Sequence, residues 1–274
     1  MKDRPNFSAL CSVYVNEQAD YLNEAFLSLE RQSLSATEVV VVLDGPLNTE
    51  LYQCIAEWKE RLPIKIVELE CNLGLGAALN KGLEACSYEI VARFDTDDIN
   101  ANDRFEKQID FLEKNPNIDV VSASVSEFET VINDMNSLRN LPESHEGVAR
   151  LAKYRNPVNH MAVMFRKSAV ISVGSYKDLH FMEDYYLWLR MLAANKKFSN
   201  ITAALVHARV GNGMHKRRKG FHYIKSEYKL FKIKKVLGIT TQLHGGVILA
   251  FRVIPRLFPT ALLRVLYSKL RAKK

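Results

Sequence analysis

The first 125 residues alternate between short apolar runs and helical patterns, and this alternation narrows the possible folds more than any other feature of the chain. Runs at 8–14, 39–43, 64–69, 89–94 and 119–125 predict strands. Between them, 21–31, 51–61, 76–85 and 104–114 carry apolar residues at helical spacing. In the last of these, Phe105, Ile109 and Leu112 fall at i, i+4 and i+7. Strands alternating with helices of this length predict an α/β fold, with a mostly parallel central sheet covered by helices on both faces. Ligands of such sheets bind outside the carboxyl ends of the strands. Three predicted strands end there in polar or acidic residues: Ser12-Val13-Tyr14, Asp44, and Asp95-Thr96-Asp97-Asp98.

The acidic run is the sharpest signal. Adjacent carboxylates repel one another unless a cation neutralises them. Mg²⁺ and Mn²⁺ take carboxylate oxygens and often complete their shell with substrate phosphates. A DxD at a strand end therefore suits a metal that grips a diphosphate. The competing reading is a solvated turn leading into the helix at Arg104, with Asp103 as its N-cap. Convergence of three strand ends on one edge favours the metal site. Two other nucleotide signatures fail. Leu73-Gly74-Leu75-Gly76-Ala77-Ala78 lacks the third glycine of a dinucleotide fingerprint and follows the third strand rather than the first. No GxxxxGK[ST] occurs.

The second half is less regular. Helices are predicted at 144–154, 182–194 and 221–236, the last closed by Gly238, and strands at 159–165 and 205–210. Glu183 and Asp184 open the strongest of these helices, where acids also suit the helix dipole.

Taken in order, these motifs resemble the glycosyltransferase family 2 enzymes, which have the GT-A fold. The resemblance rests on Ser12-Val13-Tyr14-Val15-Asn16-Glu17, Val41-Val42-Leu43-Asp44-Gly45, Asn72-Leu73-Gly74, Arg93-Phe94-Asp95-Thr96-Asp97-Asp98 and Phe181-Met182-Glu183-Asp184-Tyr185-Tyr186-Leu187-Trp188. It covers residues 7 to 215, each motif weak alone and specific in its order. The resemblance implies a nucleotide-sugar donor, typically a UDP-sugar, and an inverting transfer aided by Mg²⁺ or Mn²⁺. It implies Ser12, Tyr14, Glu17 and Asn72 around the nucleotide-sugar, Asp44 on the base, Asp95 on the ribose or metal, and Asp97 as principal metal ligand. Asp98 would support them. Asp184 would be the catalytic base, with Glu183 as the fallback. His160, in Asn156-Pro157-Val158-Asn159-His160, Glu183, and the cations Arg209, His215 and Arg217 are candidates for acceptor or diphosphate contacts; His215 or His207 is a further candidate metal ligand. A sugar-nucleotide nucleotidyltransferase shares the fold but usually carries a Gly-rich loop after the first strand, which Tyr14-Val15-Asn16-Glu17-Gln18 lacks. A non-catalytic glycan- or lipid-binding domain is the other alternative.

Charge divides the chain. Of 38 Lys and Arg, 17 lie from Arg209 onward, where Glu227 is the one acid; the first 208 residues carry 21 bases and 30 acids. A glycosyltransferase domain over 1–215 followed by a basic amphipathic helical region over 216–274 is expected. Apolar residues are interleaved with the tail's cations, which suits an anionic membrane surface better than nucleic acid. The charges and prolines at 246–267 argue against a membrane span, and Pro255 and Pro259 are expected to break a continuous helix. The acceptor expected with such a tail is a growing, lipid-linked surface glycan. Four cysteines without CxxC spacing, and a start that runs from Met1-Lys2-Asp3-Arg4-Pro5 into a strand without an apolar leader, predict a cytoplasmic enzyme peripheral at the inner face of the cell membrane.

Overall fold

A computed structural model describes residues 4–210 and 221–257. Two compact units divide it, one built from the chain up to Asp178 and from Glu183 through 210, the other from Leu179–Met182 and the helices after 220. The expected boundary at 215/216 lies outside the described residues.

In the larger unit, strands β1 (Phe7–Val13), β2 (Glu38–Leu43), β3 (Ile64–Glu68) and β4 (Ile90–Arg93) pair in parallel in the order β3-β2-β1-β4. Helices α1 (Ala19–Glu30), α2 (Thr49–Lys59) and α3 (Leu75–Ala85) connect them. Beyond β4 the sheet becomes mixed. β8 (Met164–Arg166) runs antiparallel to β4 and to β6 (Val120–Phe128), and β9 (Phe198–Arg209) runs parallel to β6. The short β5 (Ile99–Asn100) pairs antiparallel with β9, and β7 (Ser137–Arg139) with β6. The expected parallel arrangement thus describes the N-terminal strands, and the second half folds back against them.

Local chemistry explains the elements. β2 is a run of four valines between Glu38 and Leu43, buried on both faces as a central parallel strand must be. The Asn48 side chain caps α2 by accepting from Leu51 N at 2.9 Å, and Ser144 caps α5 (His145–Ala152) through Gly147 N at 3.2 Å. Asp103 stands before α4 (Arg104–Lys114) without capping it; its carboxylate pairs with Lys107 at 2.6 Å instead. The strand expected at 159–165 is shorter, because a 3₁₀ turn (His160–Ala162) precedes β8, and the short α6 (Lys167–Ser172) follows it directly. β9 begins seven residues before the expected strand, since its polar first half pairs with β6 without an alternating pattern.

Alternate residues of β1 feed two cores. Phe7, Ala9, Cys11 and Val13 join Phe26, Trp58 and Phe105 beneath α1, α2 and α4. Leu10 joins Val40, Val42 and Leu83 with Trp188 of α7 (Glu183–Ala193) on the other face. Of the four cysteines, Cys11, Cys54 and Cys86 are buried and Cys71 is exposed.

In the smaller unit, α8 (Phe221–Val236) and α9 (Gln242–Leu257) form an antiparallel hairpin around Gly238, whose φ is +69°. Glu227 near the start of α8 pairs with Arg252 near the end of α9 at 2.7 Å, and Lys235 donates to Gln242 across the turn at 2.7 Å. Contrary to expectation, α9 continues through Pro255; the proline forgoes one helical N–H bond, and the helix ends two residues later at Leu257. Pro259 lies outside the described residues.

The packing of α3 on the sheet depends on Gly82. A Cβ there would meet Leu10 Cδ1 and stand 2.7 Å from Val42 Cγ2. Gly82→Ala is expected to destabilise the fold by about 1–3 kcal/mol, read as a lowered thermal unfolding midpoint. An unchanged midpoint would show that α3 does not pack this closely.

Candidate active site

The carboxyl ends of β1, β2 and β4 lie side by side, because these strands are adjacent and parallel. Each carries its polar residues to that edge. After β1, Tyr14 and Glu17 form a turn, with Glu17 N donating to Tyr14 O at 3.0 Å. After β2, buried Asp44 accepts from Leu73 N at 2.7 Å and Gly74 N at 3.1 Å, while Asn72 Nδ2 donates to Asp44 O at 3.3 Å. Gly45 sits at φ +84°, and a Cβ there would approach Asn72 N to 2.7 Å. Asp44 therefore moulds the Asn72–Gly74 loop, and each of its oxygens keeps a lone pair for a ligand.

After β4 comes the acidic run. Carboxylate oxygens of Asp95, Asp97 and Asp98 all lie within 4.8 Å of one another. Two buried arginines stand beneath them. Arg93 grips Asp95 in a bidentate pair, Nη1 donating to Oδ2 at 2.6 Å and Nη2 to Oδ1. Burial works against the Arg93 charge, but Asp95 more than offsets this and its pKa is raised. Arg104 lies fully buried and donates to Asn100 Oδ1, to Gln108 Oε1 at 3.1 Å, to Arg93 O at 2.6 Å and to Val163 O at 3.3 Å. Burial, then repulsion from Arg93, lowers its pKa to about 9. Asp98 is buried and accepts Arg209 N at 2.9 Å. Burial, then the charges of Asp95 and Asp97, push its carboxyl well above the usual range. A hard divalent cation would relieve this repulsion, and three clustered carboxylates are suitable ligands for one. Asp98 joins the candidate ligands Asp95 and Asp97 on this geometry.

The other expected residues separate into two groups. Asp184, in the first turn of α7, accepts from Asn156 Nδ2 at 2.5 Å. Glu183 packs over Gly76 at the start of α3, its Cγ 3.3 Å from where a glycine Cβ would be. His160 Nε2 pairs with Tyr176 OH at 2.8 Å, and its ring meets Trp188 edge-on. Burial, then Arg93, lowers the His160 pKa well below normal and keeps the ring neutral. Burial raises the Tyr176 pKa, with Arg93 opposing and Asp184 and Asp95 adding to the rise. Tyr176 thus lies within electrostatic reach of both the metal-type cluster and Asp184.

Arg209 lies beside this cluster, with its backbone N on Asp98. Its guanidinium is held by Glu24 and by Asp97 O at 3.3 Å, between the rings of Tyr21 and Phe128 at 4.1 and 4.6 Å. His207 pairs through Nδ1 with Ser126 Oγ at 2.6 Å and is not among the clustered ligands. His215 and Arg217 lie outside the described residues. Sequence reasoning missed Arg93, Arg104, Asn156 and Tyr176. Arg93 ends an apolar strand of the parallel sheet, where burial is expected and an arginine must find partners, and that was an available signal; Arg104, at the start of a helix, gave none.

A sheet with this order and an acidic cluster at its carboxyl edge defines a GT-A glycosyltransferase fold. TarS from S. aureus, in complex with UDP-GlcNAc, superposes with a TM-score of 0.68 at 20% identity, over 90% of this chain and 71% of that one. A mannosyltransferase from Pyrobaculum calidifontis, in complex with GDP-Man and Mn²⁺, does so at 0.66 and 18%, over 98% and 81%. The chain belongs to glycosyl transferase family 2, whose model matches residues 10–171. It is 44% identical to an uncharacterized glycosyltransferase of Haemophilus influenzae, over 96% of this chain and 97% of that one. It is 42% identical to the amylovoran biosynthesis glycosyltransferase AmsE of Erwinia amylovora, over 96% and 98%. It is also 35% identical to an Escherichia coli UDP-Gal:alpha-D-GlcNAc-diphosphoundecaprenol beta-1,3-galactosyltransferase, over 97% of each.

If Asp95, Asp97 and Asp98 hold a divalent ion, binding must compete with protons. Asp98 keeps its proton to higher pH than an ordinary carboxyl, so Mn²⁺ affinity is expected to rise as pH is raised from acidic to neutral. Calorimetric Mn²⁺ titrations at several pH values measure this. An affinity indifferent to pH, or falling as pH rises, would remove the cluster as the ion's site.

Proposed function

We propose that this chain transfers a sugar, with inversion, from a nucleotide-sugar donor to a hydroxyl of a growing, lipid-linked surface glycan, and that Mg²⁺ or Mn²⁺ assists. The observation that carries the reading is the trio of carboxylates at the carboxyl edge of parallel strands, with oxygens within 4.8 Å of each other. UDP is the favoured nucleotide carrier. The E. coli relative is named for a UDP-sugar and a diphosphoundecaprenol-linked acceptor, and the S. aureus neighbour holds UDP-GlcNAc. Polysaccharide assembly is the favoured setting, after the Erwinia relative's name. The favoured place of action is the cytoplasmic side of an anionic membrane, where a lipid-linked acceptor would be presented.

Each residue then has a task. Ser12, Tyr14, Glu17, Asp44 and Asn72 line the nucleotide end, with Asp44 accepting from the base. Asp95, Asp97 and Asp98 hold the ion, which when bound supplies positive charge against the leaving diphosphate. Arg93 keeps the Asp95 carboxylate in one orientation, and Arg209 braces Asp97 and Asp98 from the β9 side. Asp184 takes the proton of the attacking hydroxyl, and the Asn156 amide and the Tyr185 N–H fix its rotamer. Glu183, at the start of α7, contacts the acceptor or the diphosphate. Neutral His160, held by Tyr176, offers a dipole rather than a charge to the diphosphate side.

Screening UDP-sugars for metal-dependent UDP release tests the class of reaction. Release is expected with at least one donor and is expected to stop on chelation. Asp184→Asn is expected to lower kcat by about 10²–10⁴-fold with donor binding retained. Near-normal turnover of that variant would sink the assignment of the base. Donor binding without release, across donors and acceptors, would point instead to a non-catalytic domain.

A further inference from the structure

We propose that the α8–α9 hairpin is a docking surface for an anionic bilayer, with Leu243, Val247 and Phe251 inserted among the lipids and the α8 lysines against the headgroups. This extends the reading of a membrane-borne acceptor but stands on different residues from the catalytic ones. Leu243, Val247 and Phe251 recur at i, i+4 and i+8 on α9, so they form one stripe along the helix. They are exposed by 86%, 54% and 78%, and Val236, at the end of α8, by 85%. A stripe of large apolar side chains this open marks an interaction surface. On α8, Lys225, Lys229 and Lys232 stand at i, i+4 and i+7, all exposed, with exposed Lys235 one turn on.

The unit's own chemistry selects the occupant. Its one acid, Glu227, is buried and paired with Arg252, so it does not offset the exposed lysines. Two copies paired hairpin to hairpin would set lysine-rich surfaces against each other, which costs affinity. An anionic headgroup layer meets the lysines, and the acyl boundary beneath it meets the apolar stripe. No described helix is long and apolar enough to cross a membrane, so the hairpin would lie in the interface. The hairpin is held by contacts of its own, the Glu227–Arg252 pair and the seating of Gly245 against Phe231, where a Cβ would come within 2.9 Å. Substituting the exposed stripe therefore leaves those contacts intact.

Co-sedimentation of the full-length protein with vesicles tests this, using phosphatidylcholine alone or mixed with phosphatidylglycerol, at low and high salt. Wild type is expected to bind the mixed vesicles, less at high salt, and to ignore phosphatidylcholine alone. The combined variant Leu243→Asn/Val247→Asn/Phe251→Asn is expected to lose at least about tenfold in partitioning. Lys225→Gln/Lys229→Gln/Lys232→Gln is expected to lose about fivefold per lysine and much of the salt dependence. UDP release from the donor is expected to be unchanged in both. Absence of vesicle binding by wild type, or equal binding by the stripe variant, would overturn the proposal. So would concentration-dependent self-association that the stripe variant abolishes in the absence of vesicle binding, since a second copy would then own the face. Wild type that binds the mixed vesicles but releases no UDP from any donor would count against the transferase reading and leave the docking surface standing.

Discussion

Two buried guanidinium groups under a crowd of carboxylates organise the larger unit. Arg93 and Arg104 are both removed from solvent, and neither can shed its charge cheaply. Arg93 finds its counter-charge in Asp95. Arg104 has neutral oxygen partners, yet it ties α4 to the end of β4, to the 3₁₀ turn before β8, and to Asn100 in β5. Asn100 in turn donates to Ser28 of α1 at 2.9 Å, and Gln108 donates to Ala162 O at 2.8 Å. The loop carrying Asp95–Asp98 is thus staked from below by α1, α4, β4 and the turn at His160. Removing Arg104 would leave buried hydrogen-bond acceptors without their donor, and removing Arg93 would leave half-buried Asp95 without its counter-charge.

The same arrangement explains how repelling acids can be kept together before any ligand arrives. Arg93 partly neutralises Asp95 from one side, and the Arg209 backbone N–H donates to Asp98 from the other. Arg209 itself is locked by stacking between Tyr21 and Phe128. Asp98 is the most buried of the three, and burial, with the remaining repulsion from Asp95 and Asp97, makes it hold its proton more tightly. Preorganisation of this kind means that a cation would meet ligands already in place. A second preorganised group stands on the α7 side: Asn156 orients Asp184, and Asn80 pairs reciprocally with the backbone of Tyr176 at 2.8 and 2.9 Å, fixing the segment that leads toward α7.

The smaller unit obeys different physics. Its interior is a short antiparallel pairing of two helices in which a buried acid and a cation are matched, and burial lowers the Lys234 pKa to about 7, opposed by Glu227. Its outside is unusually apolar along one helix and cationic along the other. The Glu227–Arg252 pair and the seating of Gly245 on Phe231 join the two helices, and Leu243, Val247 and Phe251 take no part in either contact.

Much of the fold was legible in the sequence, for a physical reason: parallel strands buried on both faces must be written as unbroken apolar runs, and the intervening helices must show an apolar face. The edge at which Tyr14, Asp44 and Asp95–Asp98 gather followed from the same rule. Short or polar elements such as β5, β7 and the first half of β9 were not legible, because their pairing comes from partners distant in the chain. Nor was the continuation of α9 past Pro255. The sequence by itself determined the α/β order, the family and the residue types at the strand ends. Only the tertiary structure decided that Arg209 braces the loop, that Asp98 stands with Asp95 and Asp97, that Asn156 and Tyr176 belong beside Asp184 and His160, and that Leu243, Val247 and Phe251 face outward. Those outcomes depend on which side chains meet across the sheet and along a helix face, and no local periodicity encodes such meetings.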